Sequence, residues 1–339
     1  MNHIIGVDLG TKNTIIYSKS KGILLNEPSL VAVHPKTKMV LAVGKEAQEL
    51  LGKTPEHVTV IKPLTGGVIT DFDVTRVMLK LFLEKACRGK LFRPKVTVCV
   101  PSGITEVERR AVIEAVERSG GKGAYVLEEP MAASIGAGLS VEKATGNMIV
   151  DIGGGTSEVA VVSFGGIVLS KSIRYAGDCM DEDICQYVKA KYGVLIGLKT
   201  AENLKILIGA AHPSIEEKTM CVMGRCLSSG LPKTVSVTTS DVREAIFETL
   251  TKVLEAIKTT LEKTPPELLA DIVENGISLV GGGANLSGLA KLVEEATGIR
   301  AYLSENAELC VAVGAGVAIE TLLNGYLFRK DKRLFQSRG

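Results

Sequence analysis

The chain reads as an α/β protein built from two similar halves, and three observations carry that expectation. An apolar strand ending in Asp, then an apolar residue, glycine and a hydroxyl residue, occurs twice. The two copies are Ile5-Gly6-Val7-Asp8-Leu9-Gly10-Thr11 and Ile149-Val150-Asp151-Ile152-Gly153-Gly154-Gly155-Thr156. A third glycine cluster, Leu279-Val280-Gly281-Gly282-Gly283-Ala284-Asn285, follows another apolar strand. The chain has 339 residues, 45% of them hydrophobic, so roughly two domains are expected, each with a sizeable core. A strand feeding such a turn sets a carboxylate beside exposed backbone N–H groups. That arrangement suits a metal-bound polyphosphate gripped from two sides.

The elements follow in order. Residues 3–9 and 14–19 read as a hairpin closed by Gly10-Thr11-Lys12-Asn13. A second apolar pair lies around 30–33 and 39–43. From 73 to 87, Val74, Val77, Met78, Leu81 and Phe82 share one face of a helix. A loop, Gly89-Lys90-Leu91-Phe92-Arg93-Pro94, leads to a strand over 95–100. Thr105 and Glu108 have the spacing of a capping box for a helix over 106–119. Residues 125–127 form a short strand, and Pro130 opens a helix where its missing N–H does no harm. The halves divide near 136–147.

The second half repeats the pattern. Strands are expected over 148–151, 158–163 and 167–172, with helices at about 180–192 and 201–209, the latter capped by Thr200. Strands near 219–224 and 233–238 alternate polar and apolar residues and suggest a small subdomain. A single long helix runs from 240 to about 263 and stops at Pro265-Pro266. A strand at 277–280, a helix at 286–297, a strand at 300–303 and a helix at 309–323 complete the unit.

Composition excludes several classes. The net charge of +2 and the absence of Trp argue against a nucleic-acid surface or a base-stacking platform. Seven cysteines with no CxxC pair, and histidines scattered at positions 3, 34, 57 and 212, suit reduced thiols rather than a disulfide framework or a zinc site. There is no signal-peptide pattern and no apolar run of ~18 residues, so a cytoplasmic protein is expected. The basic tail Arg329-Lys330-Asp331-Lys332-Arg333 reads as a solvated terminus or as weak attraction to anionic lipid.

Rival nucleotide motifs fail. Gly52-Lys53-Thr54 resembles the end of a P-loop, but position 47 is Ala where that motif needs glycine. Gly281-x-Gly283 lacks the third glycine of a dinucleotide fingerprint, because position 286 is Leu. No G-x-S-x-G elbow is present.

The paired Asp-x-Gly hairpins with Gly281-Gly282-Gly283 resemble the superfamily of actin, sugar kinases and heat-shock chaperone ATPases. Further stretches narrow this: Leu25-Asn26-Glu27-Pro28-Ser29, Glu128-Glu129-Pro130-Met131-Ala132-Ala133, Ser157-Glu158 after Thr156, and Thr264-Pro265-Pro266-Glu267-Leu268. As a set, over about residues 4–325, they resemble the bacterial actin family of MreB and Mbl. The resemblance implies an actin-like ATPase fold, two ribonuclease-H-like α/β halves around a nucleotide cleft. Domain I would span 1–140 plus 318–339, with a small subdomain at about 30–68. Domain II would span 141–317, with a small subdomain at about 181–240.

It also implies a slow ATPase binding ATP or ADP with Mg²⁺. Asp8 and Asp151 would hold the metal through waters, because Mg²⁺ keeps much of its hydration shell. Gly10, Thr11, Lys12, Asn13 and Gly153, Gly154, Gly155 and Thr156 would contact the phosphates. Glu129 would position the attacking water; taken alone it reads as a solvated loop acid. Glu202 and Lys205, three apart on a helix, read alone as a surface ion pair. In the resemblance they contact ribose or base, and Gly281, Gly282, Gly283 and Ala284 let backbone approach the adenine and α-phosphate. Lys12 replaces the small residue usual there and either adds a phosphate contact or points to solvent.

Leu91 and Phe92 either pack on the neighbouring helix or form the membrane-inserting loop that the family places here. Burying both would contribute roughly 3–6 kcal/mol before ordering costs. A filament presenting many copies would add avidity. The start at Met1-Asn2-His3 leaves no room for an N-terminal amphipathic anchor, so this loop would carry most of the membrane contact. The expected partners are other copies of the chain in paired antiparallel protofilaments, the inner face of the cell membrane, a RodZ-type membrane protein and the cell-wall elongation machinery, with no nucleic acid. The function implied is a cytoskeletal filament organising wall synthesis and rod shape. A sugar- or acetate-type kinase, a chaperone ATPase and a plasmid-segregating actin relative are the alternatives within the superfamily.

Overall fold

The computed structural model describes residues 4–87 and 94–323. Met1–His3, the Leu91-Phe92 loop and the basic tail lie outside the described residues.

The first half opens with β1 (Ile4–Leu9), β2 (Asn13–Ser18) and β3 (Gly22–Pro28). A small three-stranded sheet follows, from β4 (Val31–Val33), β5 (Val40–Val43), α1 (Lys45–Leu50) and β6 (Thr59–Ile61). A short hairpin, β7 (Leu64–Thr65) and β8 (Val68–Ile69), leads into α2 (Phe72–Ala86). Then come β9 (Lys95–Val100), α3 (Glu106–Arg118), β10 (Ala124–Glu128) and α4 (Glu129–Gly136). Asp71 caps α2 by accepting from the Val74 N–H, and Val74, Met78 and Phe82 are buried along one stripe. The capping box of Thr105 and Glu108 closes the start of α3.

The second half contains β11 (Asn147–Ile152), β12 (Ser157–Ser163), β13 (Gly166–Ile173) and α5 (Gly177–Tyr192). Next are β14 (Val194–Leu195), α6 (Leu198–Ile208), β15 (Thr219–Cys226), β16 (Pro232–Thr238) and α7 (Thr239–Ala245). It continues through α8 (Phe247–Lys263), α9 (Pro266–Asn275), β17 (Ile277–Val280), a 3₁₀ turn at Gly282–Asn285 and α10 (Leu289–Thr297). It ends with β18 (Ala301–Leu303) and α11 (Cys310–Leu323).

The two large sheets share one topology. Their orders are β10-β9-β1-β2-β3 and β18-β17-β11-β12-β13. In each, an Asp-bearing strand pairs antiparallel with its hairpin partner and parallel with the strand beyond. β11 is buried along its whole length. Its alternate faces feed different cores: Met148, Val150 and Ile152 face the α5–α8 side, and Ile149 faces α4 and α11.

That second cluster joins the halves. Cys99 and Leu127 from the first sheet meet Ile149, Ala160 and Val280 from the second, around Met131, Ala132, Val311 and Ala315 of α4 and α11. The two helices touch backbone to backbone. A Cβ on Gly314 would lie 1.8 Å from the Ala132 carbonyl oxygen, and one on Gly136 would lie 1.9 Å from that of Cys310. On its other side, α11 presses on β1, where a Cβ on Gly6 would sit 2.3 Å from the Gly316 nitrogen.

Several expectations change. The long helix expected over 240–263 starts at a capping box of Thr238 with Asp241 and is interrupted at Ile246, giving two helices, α7 and α8. Pro265-Pro266 stops one helix and starts another, with Pro266 in the first turn of α9, where proline is tolerated. α6 begins at Leu198 after Gly197, so Thr200 lies inside it and is not its cap. Among the described residues, no helix is long and apolar enough to cross a membrane.

Candidate functional site: a cleft between two phosphate loops

The two Asp-bearing hairpins face each other across a cleft of about 270 Å³. Its walls include Asp8, Gly10, Thr11, Lys12 and Asn13 from one half. From the other come Asp151, Gly153, Gly154, Gly155 and Thr156, with Glu129 between. Glu202, Lys205 and Gly281, Gly282 and Gly283 complete the set that the sequence singled out. Ala284 does not line the cleft. It is 4% exposed, turned into the second core by the 3₁₀ turn that follows Gly281.

Local chemistry fixes the first loop. The Ser29 hydroxyl donates to the Gly10 carbonyl at 2.6 Å, so it can only accept from Thr14, 2.9 Å away. The Ser29 N–H donates to the Lys12 carbonyl at 2.9 Å. Thr11 Oγ1 accepts from the Gly67 N–H at 2.9 Å, which leaves its hydroxyl proton available to a ligand.

The second loop is tied to the start of α5. The Gly177 N–H donates to the Gly153 carbonyl at 3.1 Å, and the Asp178 N–H donates to that of Gly154 at 2.7 Å. The loops touch: a Cβ on Gly155 would meet Thr11 Oγ1 at 2.6 Å, and one on Gly154 would meet Lys12 Cβ at 2.6 Å. Glycine at both positions is the condition for this approach.

Electrostatics at the cleft floor are unfavourable as the side chains stand. Burial, then the nearby Asp151, pushes Asp8 up to about 7. Burial also pushes Asp151 up to about 7. Glu129 is raised well above the usual carboxylate range, by burial first and then by Asp8, Glu158 and Asp151. Converging carboxylates that resist ionising together fit a cation placed among them. Among the described residues, no group of three or more His, Cys, Asp or Glu is arranged to cage a metal alone. A Mg²⁺ held by Asp8 and Asp151 would therefore take further ligands from water and phosphate, as that ion does elsewhere.

Some cleft residues escaped the sequence reading. Asn26 lies within a quoted stretch and Gly67 within a Gly-Gly turn, so both left a signal. Ile206 lines the cleft while 68% exposed, and Glu308 closes another side; neither had a local signature. Glu158 is 1% exposed beside the cleft. It accepts from the Ser172 hydroxyl and, across the halves, from the Ser102 N–H at 3.3 Å. Burial outweighs those bonds and lifts it to about 7.

Charged groups also cross the cleft mouth. Lys12 Nζ lies 2.7 Å from Glu202 and 3.0 Å from Asp181. Burial works against its ammonium, but Asp181 and Glu202 outweigh that and raise its pKa. Lys205 reaches the other Asp181 oxygen at 2.6 Å and donates to the Gly177 carbonyl. Burial opposes the Glu202 charge, but Lys12 and Lys199 outweigh it and draw Glu202 down to about 2.

The family model for MreB/Mbl protein matches residues 2–324. The chain belongs to the MreB/Mbl family. Among MreB/Mbl relatives, the cell shape-determining protein Mbl of Bacillus subtilis is 46% identical over 319 residues, 94% of this chain and 96% of that protein. The cell shape-determining protein MreB of Escherichia coli is 47% identical over 324 residues, 94% of this chain and 93% of that protein. MreB5 of Spiroplasma citri, solved bound to ADP, superposes with a TM-score of 0.90 at 35% identity, covering 95% of this chain and 97% of that one. The fold is therefore actin-like.

Proposed function

We propose that this chain is an actin-like cytoskeletal ATPase that assembles into membrane-associated filaments and organises rod cell shape and wall synthesis. One observation carries the nucleotide reading: two glycine-built loops touch across a cleft in which Asp8, Asp151 and Glu129 converge. Relatives described as cell shape-determining proteins, and an MreB5 solved with ADP and with AMPPNP, support the same reading.

In this reading the Thr11 hydroxyl and the backbone N–H groups of both loops hold the phosphates. Asp8 and Asp151 hold Mg²⁺, which when bound neutralises phosphate charge. Glu129 orients a water for attack on the terminal phosphorus, a positioning role that accounts for much of phosphoryl-transfer catalysis. Glu202, Lys205 and the glycines at 281–283 face the nucleoside, with Ile206 as an added apolar contact. Closure of the halves on ATP sets the shape that assembles head to tail, a heterologous contact that generates an open polymer. The filament lies at the inner face of the cell membrane, with Leu91 and Phe92 as the inserting residues and with a RodZ-type protein and the wall-elongation machinery as partners.

The test is sedimentation with Mg-ATP, with and without anionic liposomes. The expected result is ATP-dependent pelleting that liposomes enhance, with the enhancement lost in Leu91→Ser/Phe92→Ser while pelleting persists. No pelleting under any condition, together with sugar-dependent ATP turnover, would replace the filament with a small-molecule kinase. Loss of pelleting in the double variant would give Leu91 and Phe92 a packing role.

A further inference from the structure

Lys12 is the side chain by which one phosphate loop leaves its own half. Its stem crosses the second loop, where a Cβ on Gly154 would strike Lys12 Cβ at 2.6 Å. Beyond that crossing its ammonium lies 3.0 Å from Asp181 on α5, 2.7 Å from Glu202 on α6 and 3.8 Å from Asp178. Lys62, also from the first half, pairs with Asp178 at 2.7 Å. Two lysines of one half thus clasp three carboxylates of the other.

The clasp stands on the walls of the cleft itself, because Lys12, Glu202 and Lys205 all line it. Asp181 is 4% exposed and takes Lys12 on one carboxylate oxygen and Lys205 on the other. Half-buried ion pairs of this kind are screened by salt less than surface pairs, so they hold more firmly than exposed ones. A polyphosphate in the same cleft presents Lys12 with a second set of anionic oxygens within reach of the same flexible stem.

We propose that Lys12 is a charge bolt between the halves, joining them through Asp181 and Glu202 and exchanging those carboxylates for phosphate when ATP enters. The second clause rests on the nucleotide reading above; the first stands without it. The bolt ties the two walls of the cleft to one another. It also frees Glu202 for the nucleoside at the moment the phosphates arrive, so phosphate binding and nucleoside binding become one event.

The test is hydrogen exchange of the amides over 177–181 and 198–205 in the full chain, nucleotide-free and with Mg-ATP. Lys12→Met removes the charge and keeps the stem. In the nucleotide-free protein it should speed exchange there by roughly tenfold or more, about what one charge-assisted hydrogen bond contributes. Lys12→Arg should restore wild-type exchange. Glu202→Gln, which leaves Lys12 in place, should open the same segments if Lys12→Met proves unfolded. With Mg-ATP bound, wild type and Lys12→Met should exchange alike. Unchanged exchange in both nucleotide-free variants would overturn the bolt. A difference that persists under Mg-ATP would overturn the change of partner. Absence of ATP binding by wild type in calorimetry would defeat the nucleotide reading instead, and would leave the nucleotide-free comparison to decide the bolt.

Discussion

Gly314→Ala is a small substitution with a large expected cost. The added Cβ would fall 1.8 Å from the Ala132 carbonyl oxygen, 2.7 Å from its carbon and 2.9 Å from the Gly136 nitrogen. All three are backbone atoms of α4, so no side chain can swing aside. Ordinary contact begins near 3.4 Å, so α11 must retreat by up to about 1.6 Å along that line. A gap of even 0.5–1 Å forfeits a quarter to a half of the dispersion attraction at each affected contact. The helices are fixed elsewhere, because Gly136 seats Cys310 and Gly6 seats Gly316 in the same manner. Overpacking typically costs about 1–3 kcal/mol, and a clash with fixed backbone belongs at or above the upper end. Some of the usual gain of alanine over glycine in a helix, about 1 kcal/mol, offsets it without reversing its sign. Urea and thermal unfolding followed by circular dichroism would measure the change. Gly166→Ala, where a Cβ has only the Ser163 oxygen at 3.8 Å, serves as the comparison and should melt at or slightly above wild type. If Gly314→Ala unfolds at the wild-type midpoint, the backbone-to-backbone seating of α4 on α11 is wrong.

Two further outcomes are expected. Glu129→Ala should slow phosphate release by about 10²-fold while ATP still binds, as a lost positioning group does; an unchanged single-turnover rate would remove Glu129 from the chemistry. Asp241 carries the clearest pH signature away from the cleft. Burial opposes its charge, but Lys191, the Tyr192 hydroxyl at 2.6 Å and the Thr238 N–H at 2.9 Å outweigh that and hold it down to about 2. A lowered carboxylate pKa contributes stability that is fully present above the unfolded value near ~4 and is lost as pH falls towards the folded one. Asp241→Asn should therefore melt lower than wild type at pH 5, with the gap narrowing as pH drops to 3; parallel curves would refute the linkage.

The parts legible in the sequence are those set by short-range chemistry. Asp8 and Asp151 announce themselves because an apolar strand, a carboxylate and a glycine turn are contiguous. Thr105 with Glu108, and Pro130 in the first turn of α4, are likewise local signals. Non-local packing left no such trace. Gly314 and Gly316 carry no local signal of their role, which is set by the close approach of Ala132, Gly6 and Tyr17. Ile206 resembled any exposed apolar residue until the fold set it at the cleft. The burial of the Ala284 side chain in the second core was not legible either, because it depends on the 3₁₀ turn over Gly282–Asn285. The partners of Lys12 lie 166 or more positions away, so no window of sequence contains the pair.

The glycine seating of α4 against α11 also sets how the molecule transmits displacement. These helices lie between the two sheets, and α4 begins with Glu129 at its cleft end. Because the seating leaves no slack, the two sheets and the Glu129 end of α4 behave as one lever: a displacement of either sheet is carried to the cleft instead of being absorbed at the helix contact.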